Sequence, residues 1–286
     1  MRLVSFEHDG QRSYGLASDD RILEASFEFR NRFPDLRAVI AAGVELELGD
    51  DVGGANHSAA DVRYVPVIPN PDKILCVGVN YRLHIEEMGR QVPDHPVVFV
   101  RFAGSVVGHD EPIIRPDVSE QFDFEGELAV VIGKRARHVS PETALEYVAG
   151  YCCFMDGSIR DWQTHTPQFT AGKNFHKSAA MGPCVVTADE IPDPSELQLT
   201  TSVNGEVMQR GWVSDLIFDI PSLIQYCSTF AELLPGDIIA TGTPAGVGAA
   251  RTPPVWLKSG DTVEVEIPGV GVLRSPVLDE SSPLTA

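Results

Sequence analysis

The stretch Asp123-Phe-Glu-Gly-Glu-Leu-Ala-Val-Val-Ile-Gly133 sets acids at every second position, Asp123, Glu125 and Glu127, and then runs into apolar residues. Side chains alternate between the faces of a β-strand. The spacing therefore predicts three carboxylates pointing the same way at the mouth of a buried strand that Gly133 closes. Such a cluster is costly. Two like charges about 4 Å apart repel by roughly 4 kcal/mol at an effective dielectric of about 20. A hard divalent cation with oxygen ligands is the simplest relief. The rest of the chain is expected to bring further ligands and a catalytic pair to this strand.

The 286 residues suffice for a large core and a small extra domain. With 41 acids against 22 basic residues the net charge is -19. That excludes nucleic acid and an anionic membrane surface as expected partners, since both need clustered Lys and Arg. The N-terminus shows no leader-like apolar core, and no apolar run approaches the ~20 residues of a membrane span. Cys76, Cys152, Cys153, Cys184 and Cys227 form no CxxC pair. They read as reduced, buried thiols, which suits a cytoplasmic protein.

Two units are expected, 1–70 and 71–286, divided at Pro69-Asn-Pro71. The first reads as a small β-rich module with strands near 3–6, 13–16 and 21–24 and a helix over 34–43 that Gly43 stops. It carries no chemical constellation and is expected to serve packing or dimerisation. In the second, a buried strand over 73–79 leads into 80–89. If that segment is helical, His84 and Glu87 share a face three residues apart, and a His held by a carboxylate is a usable general base. Arg101 ends a strand and is placed to meet an anion. Residues 140–150 read as a helix with Ser140 as N-cap, Pro141 in its first turn and Gly150 beyond its end. A strand over 151–155 then ends at Asp156. Asn204-Gly205 signals a type I′ hairpin, and 219–230 a core helix. The Gly-rich segment 242–248 is able to cradle a carboxylate with backbone N–H groups, but lacks the Gly-Lys-Ser/Thr ending of a phosphate loop. Glu264 and Glu266 share a face that is read as solvated.

Five motifs in order then resemble the fumarylacetoacetate hydrolase family: Gly78-Val-Asn-Tyr-Arg-Leu-His84-x-x-Glu87, Asp123-Phe-Glu-Gly-Glu127, Asp156-Gly-Ser-Ile-Arg160-Asp-Trp-Gln163, Gly172-Lys173-Asn-Phe and Thr241-Gly-Thr-Pro-Ala-Gly-Val-Gly248. The resemblance runs from about residue 73 to about 276. It implies an α+β, β-dominated fold, a mixed β-sandwich roll with a small β-rich N-terminal domain. It implies a metal site of Glu125, Glu127 and Asp156 for Mg²⁺, with Mn²⁺ or Ca²⁺ as alternatives. Asp123 falls to a supporting role. His84 and Glu87 become a water-activating dyad, and Lys173, Arg160, Gln163 and Thr243 line the substrate pocket. Around Asp156 and after Lys173 the chain departs from the family pattern, with Met155, Gly157-Ser-Ile and His176-Lys177, which bears on the substrate.

The implied reaction is hydrolysis of the C–C bond of a 2,4-dioxo acid (an acylpyruvate) to pyruvate and a carboxylate. His84 takes a proton from water, and Lys173 or Gln163 donates to the oxyanion formed at the 4-carbonyl. Alternatives within the family are oxaloacetate decarboxylation and isomerisation or hydration of 2-hydroxy-dienoates. A non-catalytic metal-binding regulatory protein is the alternative of another class. The expected partners are a small 2-oxo acid and, by resemblance, a second copy in a homodimer. Serine and zinc hydrolases are disfavoured because Gly-x-Ser-x-Gly and His-x-x-x-His are absent.

Overall fold

The apolar run after Glu127 becomes the strand Gly126–Ile132, buried along its whole length. A strand covered on both faces reads as a continuous apolar run rather than an alternating one. In this computed structural model, which describes residues 1–281 apart from Asp19 and Val52, it lies inside a 12-stranded mixed sheet. Val148–Met155 and Ile238–Ala240 flank it, both antiparallel. Ile238–Ala240 in turn pairs in parallel with Ile74–Gly78.

The alternation of the strand decides what covers each face. Leu128, Val130 and Ile132 pack with Leu199, Val203, Val263, Val265 and Leu273 from a five-stranded second sheet. Ala129 and Val131 pack on the other face with Phe29, Leu36, Val39 and Ile40 from short N-terminal helices. The result is the β-dominated α+β architecture expected.

The N-terminal strands Arg2–His8, Gln11–Ser18 and Arg21–Glu24 extend the large sheet, since Arg2–His8 pairs with Ala179–Thr187. The helix expected over 34–43 is Leu36–Ala42. Asp35 accepts from the Ala38 N–H at its start, and Gly43 ends it in the left-handed conformation at φ 66°. Asn204 and Gly205 both take positive φ in the hairpin between Gln198–Val203 and Glu206–Trp212, as a type I′ turn requires. Asp219 caps the core helix Ile220–Phe230. All five cysteines are free and buried.

The segment 140–150 is a correction. It forms a 3₁₀ turn over Pro141–Tyr147 without a side-chain cap from Ser140, and Gly150 lies inside the strand Val148–Met155. Gly133 N–H donates to the Tyr147 carbonyl at 2.7 Å, drawing the chain into the sheet. A Cβ on Gly150 would sit 2.2 Å from the Val186 carbonyl oxygen, so this glycine serves close strand packing and is no helix stop.

Candidate active site

The three alternating acids do not share one strand face. Phe122–Asp123 pairs with Ser158–Ile159, the chain leaves regular structure at Phe124 and Glu125, and Gly126–Ile132 begins anew. Local hydrogen bonding breaks the strand. Asp123 Oδ1 accepts from Phe124 N–H at 2.8 Å and Gly248 N–H at 2.7 Å, while Oδ2 accepts from Ala249 N–H at 3.0 Å and Arg160 Nε at 2.8 Å. Asp123 is thereby turned to Arg160. The Glu125 carbonyl accepts from Asp156 N–H at 2.8 Å and brings in the third acid from the end of Val148–Met155. Glu125, Glu127 and Asp156 each offer an oxygen, all within 4.8 Å of one another.

These acids are buried and unequally compensated. Asp156 is paired with Arg101 and Lys173. Glu125 is paired with Arg160 at 2.5 Å and Lys173 at 2.6 Å. Burial pushes the Glu125 pKa up, but Arg160 and then Lys173 outweigh it and hold this carboxyl well below its ordinary range. Glu127 receives one hydrogen bond, from Gly242 N–H at 2.9 Å. Burial, Asp156 and Glu125 all push its pKa well above the ordinary value, and Lys173 and that N–H do not offset them. Burial works against the charge of Lys173, yet Asp156 and Glu125 raise its pKa, so it stays an ammonium. A buried acid short of positive charge beside two others matches the donor set of a hard divalent cation. The residues present fit such an ion.

The helix Arg82–Glu87 follows the strand Ile74–Gly78 through Val79, which sits in the left-handed region at φ 58°. That conformation is unfavourable for a β-branched residue and occurs here on the wall of the cleft. The helix places His84 Nδ1 2.8 Å from Glu87 Oε1, as its spacing predicted. A carboxylate only accepts, so Nδ1 carries the proton and Nε2 is left as the acceptor. The Gly-rich segment does cradle carboxylates, but those of the protein: Gly242 N–H holds Glu127, Gly246 N–H holds Glu87 and Gly248 N–H holds Asp123.

His84, Glu125, Glu127, Arg160, Gln163, Lys173 and Thr243 line one cleft. Glu87 and Asp156 lie behind it, against His84 and Lys173. Arg160 donates to Gln163 Oε1 at 3.0 Å. The Thr243 hydroxyl is already engaged, donating to the Gly126 carbonyl and accepting from Gln209 Nε2, both at 2.8 Å. Arg101 does meet an anion, but that anion is Asp156, an internal partner. Gln209 was not foreseen. Its amide accepts from Gly126 N–H at 3.0 Å and donates to the Pro244 carbonyl at 2.8 Å, tying the acidic strand to the Gly-rich loop. Nothing near Gln209 in the sequence marks it, because its partners, two backbone groups and the Thr243 hydroxyl, are distant in the chain.

A β-dominated fold around these acids and the His–Glu pair belongs to the family described as fumarylacetoacetate (FAA) hydrolase C-terminal, whose model matches residues 73–278. Within it, oxaloacetate tautomerase YisK of Bacillus subtilis is 43% identical over 232 residues, 80% of this chain and 77% of its own length. The structure of a fumarylacetoacetate hydrolase from Exiguobacterium antarcticum matches with TM-score 0.85 and 35% identity, covering 98% of this chain and 100% of that one. The structure of maleylpyruvate hydrolase from Sphingobium sp. SYK-6, in complex with manganese(II) ion and pyruvate, matches with TM-score 0.80 and 28% identity over 98% of this chain and 99% of that one.

Proposed function

We propose that this chain is a divalent-metal-dependent enzyme that moves a proton at C3 of a 2-oxo acid, with oxaloacetate keto–enol tautomerisation as its reaction. The observation that carries the reading is the His84–Glu87 pair beside a cleft lined by Glu125 and Glu127, with Asp156 clustered behind them. The 43% identity to an oxaloacetate tautomerase supports this choice over the other family reactions. Glu125, Glu127 and Asp156 would hold Mg²⁺, or Mn²⁺ or Ca²⁺, which supplies positive charge beside the 1-carboxylate and 2-oxygen of the substrate.

The chain's own groups do the rest. Glu87 fixes the tautomer and aim of His84, and Nε2 accepts the C3 proton as the keto form passes to the enol. The 2-oxygen gains a proton from solvent in the same conversion while His84 gives its proton up to solvent, and Lys173, kept charged by Asp156 and Glu125, stabilises the negative charge that builds on that side. In the reverse direction the two protons return. Arg160, held by Asp123, Glu125 and Gln163, keeps the Glu125 carboxylate charged and fixed.

Hydrolysis of an acylpyruvate is the second reading. It keeps the same pair but aims Nε2 at a water that attacks the 4-carbonyl, and the maleylpyruvate hydrolase neighbour supports it. The deciding experiment supplies Mg²⁺ with oxaloacetate, acetylpyruvate and fumarylpyruvate in turn. Accelerated interconversion of the oxaloacetate enol with no loss of carbon supports tautomerisation. Release of pyruvate plus a carboxylate from an acylpyruvate reverses the order, and carbon dioxide from oxaloacetate makes the chain a decarboxylase. We further read the chain as two units divided at 70/71, as a homodimer, and as cytoplasmic on the strength of its unpaired cysteines. No described helix is long and apolar enough to cross a membrane.

A further inference from the structure

The cleft is lined by four basic side chains, His84, Arg90, Arg160 and Lys173. Three are committed to protein carboxylates: His84 to Glu87, Arg160 to Asp123 and Glu125, and Lys173 to Glu125 and Asp156. Arg90 has no carboxylate partner among the described residues. We propose that Arg90 recognises a second carboxylate, carried at the far end of the substrate from its 2-oxo acid group.

The backbone fixes where Arg90 stands. The helix that carries His84 ends in Gly89, which is left-handed at φ 61°, and Arg90 N–H then donates to the Ile85 carbonyl at 3.0 Å. This is a helix C-cap that only glycine adopts cheaply. It ties Arg90 to the same short helix as the dyad.

The side chain then runs along an aromatic wall. The Arg90 guanidinium carbon lies 5.7 Å from the Phe169 ring centroid. Phe169 meets Phe99 edge-on at 5.7 Å between centroids, and Lys173 Nζ lies 5.0 Å from the Phe99 centroid. Two rings thus separate an inner cation, consumed by Glu125 and Asp156, from an outer one that is unspent. An exposed guanidinium stays solvated while it waits, so leaving it unpaired costs little. It offers a carboxylate the two parallel donors that such a group binds best. A substrate with one terminal carboxylate leaves Arg90 unanswered, whereas a diacid places a negative charge at each end of the wall.

This assignment rests on the 2-oxo acid reading above, and binding is measured apart from turnover so that the two are judged separately. Calorimetry on Mg²⁺-loaded wild-type, Arg90→Met and Arg90→Lys protein would compare pairs that differ only in the far group: oxaloacetate with 2-oxobutyrate, and 2-oxoadipate with 2-oxohexanoate. Wild type is expected to prefer the diacid in at least one pair by about tenfold, the scale of one charge-assisted contact. Arg90→Met should erase that preference while changing monoacid affinity by less than about twofold, and Arg90→Lys should keep part of it. No diacid preference in wild type for either pair overturns the assignment, as does an equal loss of both ligands in Arg90→Met. A preserved diacid preference without proton exchange at C3 would overturn the tautomerase reading and leave Arg90 in its role.

Discussion

The Gly246 amide donates to both carboxylate oxygens of Glu87, at 2.9 and 3.1 Å. The same carboxylate meets His84 Nδ1 at 2.8 Å, so the base is oriented from behind by a backbone N–H. Glu87→Gln keeps the shape and an acceptor for Gly246 but withdraws the carboxylate charge that faces His84 Nδ1. It is expected to lower kcat by about 10²-fold or more, the usual contribution of a positioned general base. His84→Ala should lose at least as much while Mg²⁺ binding persists. Wild-type turnover in either variant would remove the dyad from the mechanism.

Glu127 is the acid whose charge the fold does least to support, with its single N–H from Gly242. Glu127→Gln replaces the carboxyl that burial, Asp156 and Glu125 make hardest to ionise with a neutral amide. In chelator the variant should be as stable as wild type or more so, by about 1–3 kcal/mol. Added Mg²⁺ should stabilise wild type by about 2.7 kcal/mol at a hundredfold excess over Kd, and the variant by far less. Thermal melts with and without metal read both effects. An undiminished Mg²⁺ shift in Glu127→Gln would show that Glu127 is no ligand.

What the sequence made legible here follows from the range of each interaction. The hairpin at Asn204-Gly205, the core helix Ile220–Phe230 and the His84–Glu87 pair are fixed by short stretches of chain, and all three form as expected. The acidic stretch is instructive because its period of two pointed to one shared face. Asp123 instead answers the Gly248 and Ala249 N–H groups, which lie more than a hundred residues on, and tertiary hydrogen bonds override the local period. The same holds for Gln209 and for the partner of Arg101, whose roles exist only once distant backbone and side chains meet. The Gly-rich segment cradles carboxylates as its backbone chemistry predicts, while the owner of those carboxylates lies beyond any local pattern.

Arg101 is buried and its guanidinium holds Asp156 and the Gly157 carbonyl. Arg101→Met leaves Asp156 with Lys173 as its remaining ion-pair partner, and breaking one side of a buried pair costs about 3–5 kcal/mol. The double variant Arg101→Met/Asp156→Asn should recover part of that stability without recovering metal binding, since it removes the stranded charge and the ligand together. Urea unfolding of the two variants in chelator measures the difference. A double variant as unstable as the single one would mean that Arg101 acts through packing and not through Asp156.

Glu24 tests electrostatics far from the cleft. Its Oε1 accepts from Ser13 Oγ at 2.5 Å and from Arg30, and its Oε2 lies 3.2 Å from His57 Nε2. Burial raises its pKa, but Ser13, His57 and Arg30 together outweigh that and bring it below the ordinary value. A carboxyl with a lowered folded pKa stabilises the fold above its unfolded value, about 4.3 for Glu, and that contribution is lost as the pH falls through the folded value. Glu24→Gln should therefore cost about 1–2 kcal/mol at pH 7. The gap to wild type should close as the pH falls below about 4.3 and through the lower folded value, because the wild-type carboxyl then takes up a proton and becomes as neutral as the amide. Urea unfolding of both proteins across that window follows the closure. A gap that stays constant with pH would assign the loss to the shape of the site and not to the charge of Glu24.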